Sequence, residues 1–167
     1  MSIIDACFVF SEDLIMDNKN DNLKIIICTL TNELKAISDE YAVYSKRLPT
    51  QTGFGFSAKA SGKKELALAY YQYASNLAAS VSKMETALSG LSQIILDADR
   101  NGSTDIVLLC DSILTRYGEF KKAISHFSTH NEQLLSGENV SPTDMIRLLS
   151  ELGYKLNYFN SFLQEKL

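Results

Sequence analysis

Residues 106–134 read IVLLCDSILTRYGEFKKAISHFSTHNEQL, and this stretch decides the fold. Its apolar residues recur at alternating steps of four and three, a mean period of about 3.5 residues. That period is typical of α-helices that lie side by side at a shallow angle. The apolar positions are Ile106, Cys110, Ile113, Tyr117, Phe120, Ile124, Phe127 and Leu134.

The same period recurs in three other stretches, which begin at Leu23, Leu66 and Met145. Helix-ending and helix-starting signals separate them, since Pro49 stops the first and Asn101-Gly102 stops the second. Ser141-Pro142 is a strong start signal for the last, with Ser at the cap and Pro at the first helical position. The sequence therefore predicts helices over residues 22–48, 63–98, 104–135 and 142–166.

Residues 3–15 form a short amphipathic segment ahead of these helices. Alternation through Ile4, Ala6, Phe8 and Phe10 also fits a strand, but the sequence offers no second strand to pair with it. We therefore expect a short helix here. The fold prediction is a single all-α domain over residues 1–167: a four-helix up-and-down bundle with a short additional N-terminal helix.

The amino-acid composition argues against several classes of function. Charged residues make up 22% of the chain and the net charge is −4, with no run of five like charges. Nucleic-acid binding requires a basic face, and binding to a membrane surface requires a basic amphipathic helix. No stretch approaches the ~18 consecutive apolar residues of a membrane span. We expect no nucleic-acid partner, no membrane span and no cofactor.

The three cysteines, Cys7, Cys28 and Cys110, are far apart and show no metal-binding spacing. This usage is typical of a reducing environment. The N-terminus lacks the basic region and apolar core of a secretory signal. The expected location is the cytoplasm, or export without a standard signal peptide.

The second helix is unusual because Lys83 and Glu85 are its only charged residues between Leu66 and Leu96. Charged residues are depleted at interface cores, and small residues let helices approach closely. The alternatives are a partner protein or second copy, coverage by the N-terminal segment, or a low-charge face in solvent. If a partner protein or a second copy covers this face, the predicted partner-binding residues are Leu68, Tyr71, Ser75, Ala78, Ala79, Ser82 and Ser89, with Phe54 and Phe56 of a Gly-rich loop.

Two patterns resemble metal sites. Asp97, Asp99, Asn101 and Asp105 occupy the spacing of a calcium-binding loop, but Leu108 stands where a bidentate Glu is required. The same residues are explained by the end of one helix followed by the N-cap of the next, and we favour this explanation over a calcium site. The second pattern is His126 and His130, four residues apart and without a third ligand. Both lie off the apolar stripe, so we expect solvated imidazoles.

Tyrosines are expected to gather at one end of the bundle, where the first helix ends and the second begins. Four of them, Tyr41, Tyr44, Tyr70 and Tyr73, fit core positions, whereas Tyr71 lies off the stripe. No nucleophile or acid–base motif accompanies them. The sequence favours a non-enzymatic protein–protein interaction module that binds a protein partner or itself. The alternative is a small-ligand or weak calcium-binding protein using the tyrosine-rich end or the Asp97–Asp105 loop.

Overall fold

The structure is a computed structural model that describes residues 21–47 and 60–167. Over those residues the chain is all-α, with five helices and no strand, which confirms the predicted class. The predicted helix over 3–15 and the loop residues Phe54 and Phe56 lie outside the described residues. The helices are α1 (Asp21–Arg47), α2 (Ala60–Leu88), α3 (Leu91–Arg100), α4 (Thr104–Leu135) and α5 (Pro142–Gln164).

The single helix predicted over 63–98 is wrong, because the chain breaks at Ser89-Gly90 into α2 and α3. The Gly90 amide donates to the Ala87 carbonyl (3.2 Å), a step of three residues instead of four. Such bonds tighten the last turn of a helix. Gly90 also lies against α1, where an added Cβ would come within 3.2 Å of Ile26 Cδ1. The apolar period continues across this turn, so periodicity alone does not reveal it.

The four long helices form a ring in which each has two long neighbours. α1 and α4 both pack against α2 and α5, and α3 packs mainly on α4. Tyr44, near the end of α1, accepts a hydrogen bond from Tyr70, near the start of α2 (3.3 Å). Glu33 and Lys83 pair farther along, so α1 and α2 are antiparallel. α2 and α4 are also antiparallel, as the contacts Ala67–Asn131 and Glu85–Lys121 show. The same holds for α4 and α5, which are joined by Glu119–Lys155 and Arg116–Phe162.

One core runs through the ring and contains most of the predicted stripe residues whose burial the structure describes. On α5 every predicted position is buried, and on α4 the positions from Cys110 to Leu134 are buried. Burial of these side chains is the main driving force for the packing, at roughly 25 cal/mol per Å² of apolar surface. Over the described residues, no helix is both long and apolar enough to cross a membrane. The buried α5 residues of the stripe are Met145, Leu149, Leu152, Leu156, Phe159 and Leu163.

Gly153 brings α5 unusually close to α1. The Tyr41 hydroxyl donates to the Leu149 carbonyl (3.1 Å), and the Tyr41 ring lies directly over Gly153. A Cβ at residue 153 would overlap the tyrosine hydroxyl. Any side chain at this position would therefore force the Tyr41 ring to move.

Candidate functional site

One side of α2 is buried in the core, and this fixes which of its residues face away from the other helices. Tyr70, Tyr73, Leu77 and Met84 are fully or almost fully buried between α1 and α4. Their spacing of three, four and seven residues keeps them on one side of the helix. The residues on the opposite side are therefore turned away from the ring.

The exposed side carries six of the predicted partner-binding residues on one face. Leu68 and Tyr71 are each 56% exposed, which is high for large apolar side chains. They are followed at helical spacing by small residues, all of them exposed. Ser89 is also exposed but lies in the turn after α2. We refer to Leu68, Tyr71, Ser75, Ala78, Ala79 and Ser82 as the α2 outer strip.

The two charges near the strip are held by neighbouring helices. Lys83 lies 4.0 Å from the Glu33 carboxylate of α1. Glu85 accepts hydrogen bonds from Lys121 and from the Tyr117 hydroxyl (2.8 Å), both on α4. The hydrogen bonds from Lys121 and Tyr117 lower the pKa of Glu85. The α2 outer strip itself carries no charge from Leu68 to Ser82.

The expected tyrosine cluster is present, but it belongs to the core. Tyr44 stacks on Tyr73 with ring centroids 4.6 Å apart, and Tyr70 and Tyr73 meet Phe127 edge to face. Burial raises the pKa of Tyr73, and the Glu40 carboxylate raises it further. Among the described residues the Tyr73 hydroxyl has no hydrogen-bond partner.

The other two tyrosines of that prediction lie elsewhere. Tyr41 contacts α5 through the Leu149 carbonyl. Tyr71 is exposed on the α2 outer strip. The cluster is thus packing between α1, α2 and α4, and Tyr71 is its accessible neighbour.

The Asp97–Asp105 segment is a helix-to-helix turn. The Ser103 amide donates to the Ala98 carbonyl (2.8 Å) and the Gly102 amide to the Asp99 carbonyl (3.2 Å), the bond pair of a Schellman motif. Gly102 has a φ of 69°, in the left-handed region that glycine supplies most easily. The described residues contain no group of three or more His, Cys, Asp or Glu side chains arranged to hold a metal ion. The four candidate ligands Asp97, Asp99, Asn101 and Asp105 are exposed.

The expectation that both histidines are solvated is wrong for one of them. His126 is exposed, but His130 is only 9% exposed, and its Nε2 lies 2.9 Å from the Ser141 carbonyl oxygen. The reason is that α4 packs against α2, α3 and α5, so its buried arc is wider than the apolar stripe. His130 thus connects the end of α4 to the cap of α5.

Sequence reasoning missed an aromatic surface on α5. Tyr154 and Tyr158, 67% and 48% exposed, stack in parallel with centroids 6.4 Å apart. The Arg116 guanidinium lies 5.1 Å from the Tyr158 ring centroid and 4.0 Å from that of Phe162. Two tyrosines four residues apart and off the apolar stripe are the signal that could have revealed this surface.

An open pocket of about 220 Å³ lies beside this aromatic surface. Its wall combines apolar side chains with one carboxylate and one ammonium group, without a cluster of catalytic groups. It contains one residue of the calcium-loop prediction, Asp105, and none of the tyrosines. The lining residues are Asp105, Leu108, Leu109, Ser112, Phe162 and Lys166.

Comparison with known proteins gives no guide to the function. No protein family, curated protein or solved structure matches this chain. Function must therefore be inferred from the exposed surfaces of the described residues, of which the α2 outer strip is the one predicted from the sequence.

Proposed function

We propose that this protein is a non-enzymatic protein–protein interaction module that docks through the α2 outer strip. The observation that carries the proposal is an uncharged helix face bearing two large, half-exposed side chains, Leu68 and Tyr71. The sequence extends the proposed surface to Ser89 and to the loop aromatics Phe54 and Phe56.

The chemistry of the strip suits an interface core. Aromatic residues are enriched and charged residues depleted in such cores, and a few large anchors supply most of the binding energy. Tyr71 and Leu68 are the anchors in this proposal. The Ser and Ala residues that follow them allow a partner backbone to approach closely. The pairing of Lys83 with Glu33 and of Glu85 with Lys121 favours docking, since those charges do not project across the strip.

The proposed location is the cytoplasm, or outside the cell after export without a standard signal peptide. Cys110 supports a reducing compartment, because it is a buried free thiol. Burial and the neighbouring Asp111 carboxylate raise the pKa of Cys110 to about 11, so this thiol is held in its unreactive protonated form.

The test is to place a charge in the strip and to measure binding. Tagged wild-type protein and the Ala79→Glu variant are incubated with lysate of the source cells and with a differently tagged copy of the chain. Because an unpaired charge buried at an interface costs several kcal/mol, Ala79→Glu should lower retention of the partner at least roughly tenfold.

The matched control is Ala42→Glu, the same change at an exposed residue of α1. It should retain the partner at the wild-type level, and circular dichroism should show equal helicity for all three proteins. Equal retention by Ala79→Glu and wild type would contradict the proposal. So would a wild-type chain that retains neither a lysate protein nor its own copy.

A further inference from the structure

We infer that the pocket between α4 and α5 binds a free α-amino acid with a branched aliphatic side chain. All of its lining residues belong to the first half of α4 or to the end of α5 and the residues just after it. The site is therefore separate from the α2 outer strip and goes beyond the proposed function. Three features of the pocket support it: its volume, its charges and its apolar wall.

The volume of the pocket restricts the ligand to a small molecule. At about 220 Å³ the pocket lies below the roughly 300–1,000 Å³ that is usual for pockets holding drug-sized ligands. A larger ligand would leave most of its surface in solvent and would gain little from the apolar wall. The volume therefore favours a ligand of the size of a single amino acid.

Opposite charges line the pocket and are not used within the described part of the chain. The Asp105 carboxylate lies in the first turn of α4, and Lys166 follows the end of α5. The ion pairs among the described residues involve other side chains, so these two charges pair neither with each other nor with a third group. A ligand with one positive and one negative group can pair with both at once. An α-amino acid carries an ammonium and a carboxylate group on one carbon atom.

The rest of the lining is mainly apolar and is supplied by Leu108, Leu109 and Phe162. The Phe162 ring is held by two cations, since the Arg116 guanidinium lies 4.0 Å and the Lys166 ammonium 5.3 Å from its centroid. Leu108 is 58% exposed, which is high for a leucine. Contact with a branched aliphatic side chain would remove part of this apolar surface from water. The wall therefore favours an apolar amino acid over a charged one.

The end of a peptide offers only half of this chemistry. A peptide N-terminus has an ammonium group for Asp105 but no carboxylate for Lys166, and a peptide C-terminus has the reverse. The free amino acid should therefore bind more tightly than either end.

The first experiment compares three ligands on the full chain. The probe is L-leucine. L-leucinamide keeps its ammonium group and lacks the carboxylate, and N-acetyl-L-leucine has the opposite composition. Titrations are followed by the backbone amide signals in nuclear magnetic resonance spectra at about pH 6.5, where the leucinamide amine is protonated. L-leucine should bind with a Kd of about 1 mM, and each analogue about fivefold more weakly, because exposed ion pairs contribute modestly.

The second experiment removes each protein charge in turn. Asp105→Asn should weaken L-leucine binding about fivefold and leave N-acetyl-L-leucine unchanged, since that ligand has no ammonium group. Lys166→Gln should weaken L-leucine to the same extent and leave L-leucinamide unchanged. The matched controls are Asp111→Asn and Lys122→Gln, the same changes at exposed residues of α4 outside the pocket lining. Both should bind L-leucine as the wild type does, and melting curves check that every variant is folded.

Three results would overturn this assignment. The first is the absence of shifts in the signals of residues 105–112 and 162–166 at L-leucine concentrations up to about 20 mM, well above the expected Kd. The second is equal affinity for the three ligands, because the two charges would then play no part in binding. The third is tighter binding of either analogue, which would assign the pocket to a peptide end. None of these results bears on docking through the α2 outer strip, which Ala79→Glu tests separately.

Discussion

The outer faces of α2 and α5 both expose large side chains, but among the described residues only those of α5 are in contact with other side chains of the chain. Tyr158 of α5 stacks on Tyr154 and lies beneath the Arg116 guanidinium. Tyr71 of α2 is exposed to a similar degree, and among the described residues no ring stacks on it and no cation lies over it. Exposure alone therefore does not identify a docking face, and the absence of internal contacts is the better guide.

The inner faces of the two helices differ as well. α5 is held against α1 by the tyrosine that lies over Gly153. α2 buries Tyr73 without giving its hydroxyl a partner in the described part of the chain. Within the described part of the chain, α5 is thus held on both sides, whereas α2 buries a hydroxyl without a partner and has an outer face that no other described element covers.

The largest effect should come from breaking the inner contact of α5. Gly153→Ala forces the Tyr41 ring away and removes its hydrogen bond to Leu149. Overpacking of this kind, with the lost hydrogen bond, should lower the free energy of unfolding by about 3 kcal/mol. Urea denaturation followed by circular dichroism measures the change.

Gly118→Ala is the control for that change, because Gly118 is an exposed residue within α4 and an added Cβ meets no atom within 4 Å. Alanine is the better helix former, so this variant should gain roughly 0.5–1 kcal/mol. If the two substitutions change the free energy of unfolding by the same amount, the close approach of Tyr41 does not disfavour a side chain at position 153.

A smaller effect should come from improving the inner face of α2. Tyr73→Phe removes a buried hydroxyl without a partner and should raise the free energy of unfolding by about 1 kcal/mol. Tyr70→Phe is the control, since the Tyr70 hydroxyl donates to the Tyr44 carbonyl, and its loss should cost about 1 kcal/mol. Thermal unfolding at neutral pH distinguishes the two, and a loss of stability in Tyr73→Phe would show that the Tyr73 hydroxyl has a hydrogen-bond partner in the folded chain.

The same variant should change the response to alkali. The pKa of Tyr73 is raised above the ordinary 10.0, so its neutral form is favoured in the folded chain. Titration of Tyr73 leaves the free energy of unfolding unchanged below pH 10. Above pH 10 it lowers the free energy of unfolding, because the unfolded chain then releases the Tyr73 proton more readily than the folded chain does. Tyr73→Phe should therefore lose less stability than the wild type between pH 9 and pH 11.

The smallest effect should come from uncovering the outer face of α5. Arg116→Ala removes the cation over Tyr158 and Phe162 and should cost about 0.5–1 kcal/mol. Lys122→Ala, at an exposed lysine of the same helix, removes the same charge and should cost less than about 0.5 kcal/mol. Equal melting temperatures for the two variants would show that Arg116 is no more than a solvated charge.

The sequence predicted the features that depend on neighbours along the chain. The apolar period predicted the buried residues of α4 and α5, and Ser141 caps α5 as expected, accepting from the Thr143 amide (3.3 Å). The turn at Gly102 also follows from local chemistry, because glycine adopts the left-handed conformation needed there.

The features it missed depend on residues far apart in the chain. From the sequence, Gly153 is only a poor helix former within a helix. Its contact with the Tyr41 ring appears only when α1 and α5 are placed together. A Cβ at Gly90 would come within 3.2 Å of Ile26 Cδ1 on α1, and the burial of His130 depends on packing against three helices. Periodicity within one helix carries no information about such contacts, whereas the exposed face of α2 follows directly from it.

The turn at Ser89-Gly90 also sets a length. From Leu68 to Leu88 the outer face of α2 is unbroken helix, about six turns or roughly 30 Å long. After the turn, α3 contacts α4 and α1, the same two helices that α2 contacts. The turn therefore interrupts the helical backbone without changing the helices that support it, and it limits the uninterrupted outer face to about 30 Å.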